Sequence, residues 1–214
     1  MSGSITLENR FGVNKMELIS LKYAIFVIVL LVLYYCFPKK YRWYVLLAGS
    51  MAYYVIICKW YVLFIIFTIC TTYGSTIWID KLLKEQNAIV KSHKEDWDRQ
   101  TRKEYKEKGR KKRVAVMLFA LLCNFGILAF LKYIPYAGEL GLLLPLGISF
   151  YTFQSMGYVM DVYREIVEPE KNFLKVALFV SFFPQIIQGP IAIYDKLAGQ
   201  LYEGHSLRLE NLQK

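Results

Sequence analysis

Long apolar runs alternate with short charged breaks along most of the chain. Stretches without a charged residue cover 23 to 38, 43 to 58, 60 to 79, 114 to 131, 140 to 160 and 176 to 194. At about 1.5 Å of rise per residue, about 20 residues cross a hydrocarbon core of about 30 Å, so the last four runs qualify by length. The first two reach it by extension. One begins near Leu18 with Lys22 snorkelling to the interface, and the other borrows Tyr41 and Trp43 as interfacial anchors. The pattern predicts an all-α, polytopic transmembrane helix bundle of about six membrane segments. Pro145, Gly147, Pro184 and Pro190 fall in the last two runs, which are therefore read as crossing, bent or re-entrant helices.

Composition agrees with that reading: 56% of the 214 residues are apolar and 16% aromatic, too greasy and too clustered for an ordinary soluble domain. Charge then orients the bundle. The segment 81 to 113 holds 13 Lys and Arg against 6 Asp and Glu, a net +7 of the chain's +10, and is expected to be a basic cytoplasmic loop. KKYR at 39 to 42 and the break Asp161 to Lys175 fall on the same side, and Lys59 on the other. A cell-membrane, multi-pass protein follows, with the lipid bilayer as its first partner. The loop reads as a solvated pair of helices, helped by Glu104 and Lys108 at i, i+4 spacing. GRKKR at 109 to 113 abuts a span and is read as a topology anchor or anionic-lipid contact, with no nucleic acid expected. Residues 1 to 15 form a polar extension without the order of a cleavable signal, and 16 to 214 read as one membrane domain without internal repeats.

Candidate chemistry is sparse. Cys36, Cys58, Cys70 and Cys123 lie inside apolar runs without metal-ligand spacing, so they are expected to be small buried hydrophobes, and no metal site is expected. His93 sits in the charged loop. His205 follows the last apolar run and would serve as a base only if that segment folded back into the bundle. No nucleophile elbow, phosphate-cradling loop or intramembrane carboxylate pair is present. What remains is polarity inside the last two runs. On a continuous helix Ser181, Gln185 and Gln188 fall at i, i+4 and i+7, beside Pro184. Tyr151, Gln154, Tyr158 and Asp161 form a similar stripe in the preceding run. Two such stripes suit either hydrogen bonding between helices or a polar tunnel.

The strings LPLGISFYTFQSMGYVMDVYR at 144 to 164, EPEKNFLK at 168 to 175 and FVSFFPQIIQGPI at 179 to 191 resemble the membrane-bound O-acyltransferase family. The similar branch is the bacterial one with the alginate O-acetyltransferase membrane subunit and the D-alanyl transfer protein of teichoic acids. The resemblance covers most of 16 to 212. It implies a helical enzyme with a tunnel through the bilayer. An acyl group, expected to be acetyl, would pass from a cytoplasmic donor such as acetyl-CoA or an acyl carrier protein, which is a substrate and not a bound cofactor. The receiver would be an extracytoplasmic polysaccharide or a partner acyltransferase. It also implies tunnel-lining roles for Ser149, Gln154, Tyr158, Ser181, Gln185, Gln188, Gly189 and Pro190. The family's catalytic histidine, which acts as general base, is expected beyond Lys214, so the chain reads as an amino-terminal portion. After G-P-I the chain has AIYDKL where a basic residue is common in relatives. The open alternative is a non-enzymatic membrane scaffold or small transporter using the same polar stripes.

Overall fold

A computed structural model describes residues 21 to 93, 96 to 133, 147 to 188 and 194 to 203; of 21, 22 and 186 to 188 only the backbone is described. Gly189, Pro190, His205 and the 1 to 15 extension lie outside the described residues. Those described are helical, with no strand among them.

Helix α1 spans Leu21–Cys36 and leads through a single turn at Lys39–Tyr41 into α2, Arg42–Cys58. Arg42 closes this corner: its Nε donates to Phe37 O (3.0 Å) and its guanidinium lies over the Tyr34 and Tyr35 rings at 5.3 and 5.1 Å. At the other end of α2, Lys59 takes φ 46° and ψ −117°, a positive-φ conformation outside the helical regions that stops the helix, and a second short turn at Lys59–Tyr61 starts α3, Val62–Ser92. Helix α4, Arg99–Tyr133, follows. Next come α5, Ile148–Tyr163, α6, Phe173–Ser181, α7, Phe183–Gln188, and α8, Tyr194–Tyr202. Helices α3, α4 and α5 pack on one another, while α2 bridges α1 to α6 and α7.

Two helical stretches, Lys39–Ser92 and Arg99–Tyr133, are long and apolar enough to cross a membrane; the apolar stretches Tyr23–Cys36 and Phe173–Gln185 are shorter. The distribution of side chains fits lipid as the outer solvent. Ile56 and Leu122 are 72% exposed, whereas Ser50, Thr72, Thr76, Ser155 and Ser181 are fully buried. In lipid an exposed Leu costs nothing and an exposed hydroxyl does, so polarity turns inward. The chain is a membrane protein.

The basic segment is a helical hairpin. Helices α3 and α4 run on past their apolar parts and meet at a tip where His93 stacks on Trp97 (4.8 Å) and Trp97 meets the Tyr105 ring at a tilt (5.1 Å). Asp98 caps α4, accepting from Gln100 N (3.4 Å). Glu104 does not follow the expected pairing with Lys108; it accepts from Gln100 Nε2 instead (3.1 Å). Gly109 explains how a charged helix packs so closely here. A Cβ at 109 would come within 2.6 Å of the buried Gln86 amide, whose Nε2 donates to Lys106 O (2.9 Å). The expectation that every cysteine is buried fails for Cys36 and Cys70, which are exposed; Cys58 is buried and Cys123 intermediate. A thiol is apolar enough to face lipid, so an apolar run does not fix which face it takes.

Candidate functional site

A single cut in the α6–α7 segment organises the polar interior. Its residues are apolar enough for one continuous helix, but Phe182 swings to ψ 105° and ends α6, and Pro184 then occupies the first turn of α7. Pro184 has no N–H for the carbonyl four residues back, and its ring suits a helix start. The cut also parts the pair that a continuous helix would join, Phe183 N–H to Phe179 C=O. Each half finds a side chain from another helix. Gln154 Nε2 on α5 donates to Phe179 O (2.9 Å), and Phe183 N donates to Ser50 Oγ on α2 (3.4 Å). A bare backbone group in this apolar surrounding costs about 1–3 kcal/mol, so these two side chains hold the break open.

Around the break the interior holds polar atoms without a well-formed hydrogen bond among the described residues. Tyr54 on α2 and Tyr151 on α5 meet edge to face with ring centroids 6.2 Å apart, both 1% exposed; their hydroxyls approach each other and the Cys58 thiol, and neither has a well-formed hydrogen bond among the described residues. Ser155 Oγ, one turn along from Tyr151, Ser181 Oγ and Gln185 Oε1 are also buried and unpaired. Every one of these side chains is neutral. The arrangement suits a small uncharged group rich in acceptors, and not a metal; among the described residues no cluster of His, Cys, Asp or Glu could hold one.

Further along α5 the same face meets aromatic rings. Tyr158 stacks on Tyr194 of α8 (4.2 Å), with Phe179 edge-on to both, and its hydroxyl accepts from Glu170 N (2.8 Å). Glu170 pairs with Lys175 Nζ (3.6 Å), which lies 4.8 Å from the centre of the Tyr202 ring; Tyr202 OH donates to Lys175 O (2.9 Å). The EPEKNFLK turn is thus tied to α5 and α8. Helix α5 itself ends in a left-handed Glu165, φ 61°, closed by Ile166 N to Asp161 O (3.0 Å) and Glu165 N to Val162 O (3.1 Å), and Glu165 accepts from Arg113 Nη1 of α4 (2.9 Å).

The structure brings Gln154, Tyr158, Ser181 and Gln185 toward the interior where α2, α5, α6 and α7 meet, although Ser181 and Gln185 sit on separate helices and not on one continuous stripe. Gln188 ends α7 and its side chain is not described. Ser149 is intermediate in burial and lies about 200° round α5 from Tyr151, on the side of the exposed Phe153. Asp161 is intermediate as well. Of the two histidines, His93 is exposed at the hairpin tip, its Nδ1 near Ser92 Oγ (3.0 Å) and Ile89 O (3.1 Å). Reasoning from sequence passed over Ser50, Tyr54 and Ser155. A Ser and a Tyr at i, i+4 in the second apolar run were a readable signal, but only contact with α5 and α7 distinguishes them from lipid-facing residues.

The fold and this interior define a class: a membrane-embedded helical protein with a neutral polar site between short, broken helices. Comparison with known proteins narrows it. The probable alginate O-acetylase AlgI of Pseudomonas syringae pv. tomato is 47% identical over 58 residues, 27% of this chain and 11% of that relative. Its namesake in Azotobacter vinelandii is 36% identical over 91 residues, 42% of this chain and 17% of the relative. The peptidoglycan O-acetyltransferase of Helicobacter pylori is 32% identical over a 120-residue alignment, 39% of this chain and 23% of the relative. The chain therefore spans less than a quarter of the length of each of these relatives. No family model and no solved structure matches. Over the matched segments the chain is similar to bacterial O-acetyltransferases named for two different polymers.

Proposed function

We propose that the native protein transfers an acetyl group from a cytoplasmic donor across the cell membrane to hydroxyls of an extracytoplasmic polysaccharide, directly or through a partner acyltransferase. The observation that carries this reading is the similarity to relatives named as O-acetyltransferases on two different polymers, alginate and peptidoglycan. The interior supports it. Acyl transfer needs a site where a neutral thioester or ester carbonyl is held away from water and met by hydrogen-bond donors. Buried hydroxyls on α2, α5 and α6 supply donors, and the neutral character of these side chains suits a neutral acyl group. The basic α3–α4 hairpin favours a cytoplasmic position for the 81 to 113 segment, the side from which acetyl-CoA or an acyl carrier protein would deliver. Gln185, Gln188, Gly189 and Pro190 follow the helix break and are proposed to continue the lining. The general base is assigned to none of the described residues.

The test uses membranes from cells with and without the native gene, supplied with acetyl-labelled donor. Label entering the cell-envelope polysaccharide only when the gene is present is the expected result. Equal incorporation in both membranes would sink the proposal.

A further inference from the structure

Tyr54 and Tyr151 pose a physical question of their own. Both rings are core residues at 1% exposure and pack edge to face, a role that Phe fills equally well. Each hydroxyl is nonetheless buried without a well-formed hydrogen bond among the described residues, with only the other hydroxyl and the Cys58 thiol in reach, and a buried hydroxyl so poorly paired costs stability that Phe would not. Two such hydroxyls arise from different helices at one contact, with the unpaired Ser155 Oγ a turn away on α5. Chance strain does not place three hydroxyls together; a partner that is not among the described residues accounts for all of them.

The chemistry of that partner follows from its surroundings. Ser50, Tyr54, Tyr151, Gln154, Ser155 and Ser181 carry no charge, so an ionic ligand would lack a counter-ion in a low-dielectric interior. Gln154 and Ser50 are already committed to the backbone at the helix break. The free groups are O–H donors, and a carbonyl oxygen, with two lone pairs, accepts two of them. We infer that Tyr54 and Tyr151 together hold the carbonyl oxygen of the acyl group, as positioning donors facing each other across α2 and α5. This inference rests on the acyl-transfer reading for its ligand, and on the unpaired hydroxyls for its place.

The experiment compares Tyr54→Phe, Tyr151→Phe and the double variant in the full native protein, reconstituted in lipid nanodiscs. Two readouts are expected to move in opposite directions. Thermal stability without substrate holds or rises, because an unpaired buried hydroxyl is gone. Acetyl transfer falls about tenfold in kcat/KM for each single variant, the size of one hydrogen bond. A third readout needs no turnover: the infrared carbonyl stretch of a 13C-acetyl thioester of N-acetylcysteamine shifts to lower frequency on binding to the native protein, and this shift is lost in the double variant. Falling stability in both single variants would make the hydroxyls structural. Raised stability with unchanged transfer and an unchanged carbonyl stretch would assign them to bound water only. Absence of acetyl transfer by the native protein overturns the acyl-transfer reading alone, and the infrared shift still decides the carbonyl site.

Discussion

Helix α4 and the α6–α7 segment are each touched by a glutamine from a neighbouring helix, and the two contacts do different things. In α4, Gln86 Nε2 reaches Lys106 O at 2.9 Å, yet the helix runs unbroken for 35 residues through a glycine and a dense run of charges. In α6, Gln154 Nε2 reaches Phe179 O at the same 2.9 Å, and there the helix has stopped within three residues. The carbonyl in α4 keeps its own helical donor and takes Gln86 as a second. The carbonyl in α6 has lost its donor to the turn at Phe182, and Gln154 replaces it. The same bond supplements one helix and completes a broken one. Apolar character does not decide continuity, since the broken segment is the greasier of the two. Proline in the first turn of α7, together with outside partners for the parted backbone groups, does.

Gln154→Leu tests this contrast most severely. It leaves the Phe179 carbonyl buried without a donor, and the expected loss is about 2 kcal/mol of stability, read as a lowered unfolding temperature in nanodiscs. A loss no larger than that of a surface variant would mean the break does not depend on this brace. Ser50→Ala removes the long partner of Phe183 N and should cost about 1 kcal/mol, with faster amide hydrogen exchange at Phe183 as the local sign. Gln86→Leu, the matching change in the intact helix, is expected to cost only about 0.5 kcal/mol, because the Lys106 carbonyl retains its helical bond. An equal cost for the two glutamines would erase the distinction. The smallest effect belongs to Glu165→Gln. Its carboxylate is half exposed, at 54%, so screening reduces the Arg113 pair to below about 0.5 kcal/mol, and raising the salt concentration should shrink the difference further.

Much of the interior face of α5 was legible in the order of residues. Gln154 and Tyr158 fall at helical spacing from Tyr151 in an uninterrupted run, and a polar residue in a membrane helix has little choice but to face protein. The stripe through Ser181, Gln185 and Gln188 was legible only in part. Periodicity assumes one helix, and Phe182 ends it, so Gln185 comes to its neighbours from a new axis. Tyr54, four residues after Ser50, carried only an ambiguous signal, because tyrosine is equally at home at the membrane interface, in a core and at a site. The charged hairpin was readable as a pair of helices, whereas Gly109 in GRKKR looked like part of a charge cluster and proves to be the place where α4 comes closest to Gln86.

By itself the sequence determined the lipid environment, the helical class, the basic side of the hairpin and the similarity to O-acetyltransferases. These depend on hydrophobic length, charge count and strings of adjacent residues, all of which are properties of the chain in order. Tertiary structure alone decided where the last apolar run breaks, which polar side chains replace the lost backbone bonds, and which hydroxyls remain without a partner. Those depend on contacts between α2, α5, α6 and α7, residues more than a hundred positions apart in the case of Ser50 and Phe183, and no local pattern encodes which group will be there to accept a hydrogen bond.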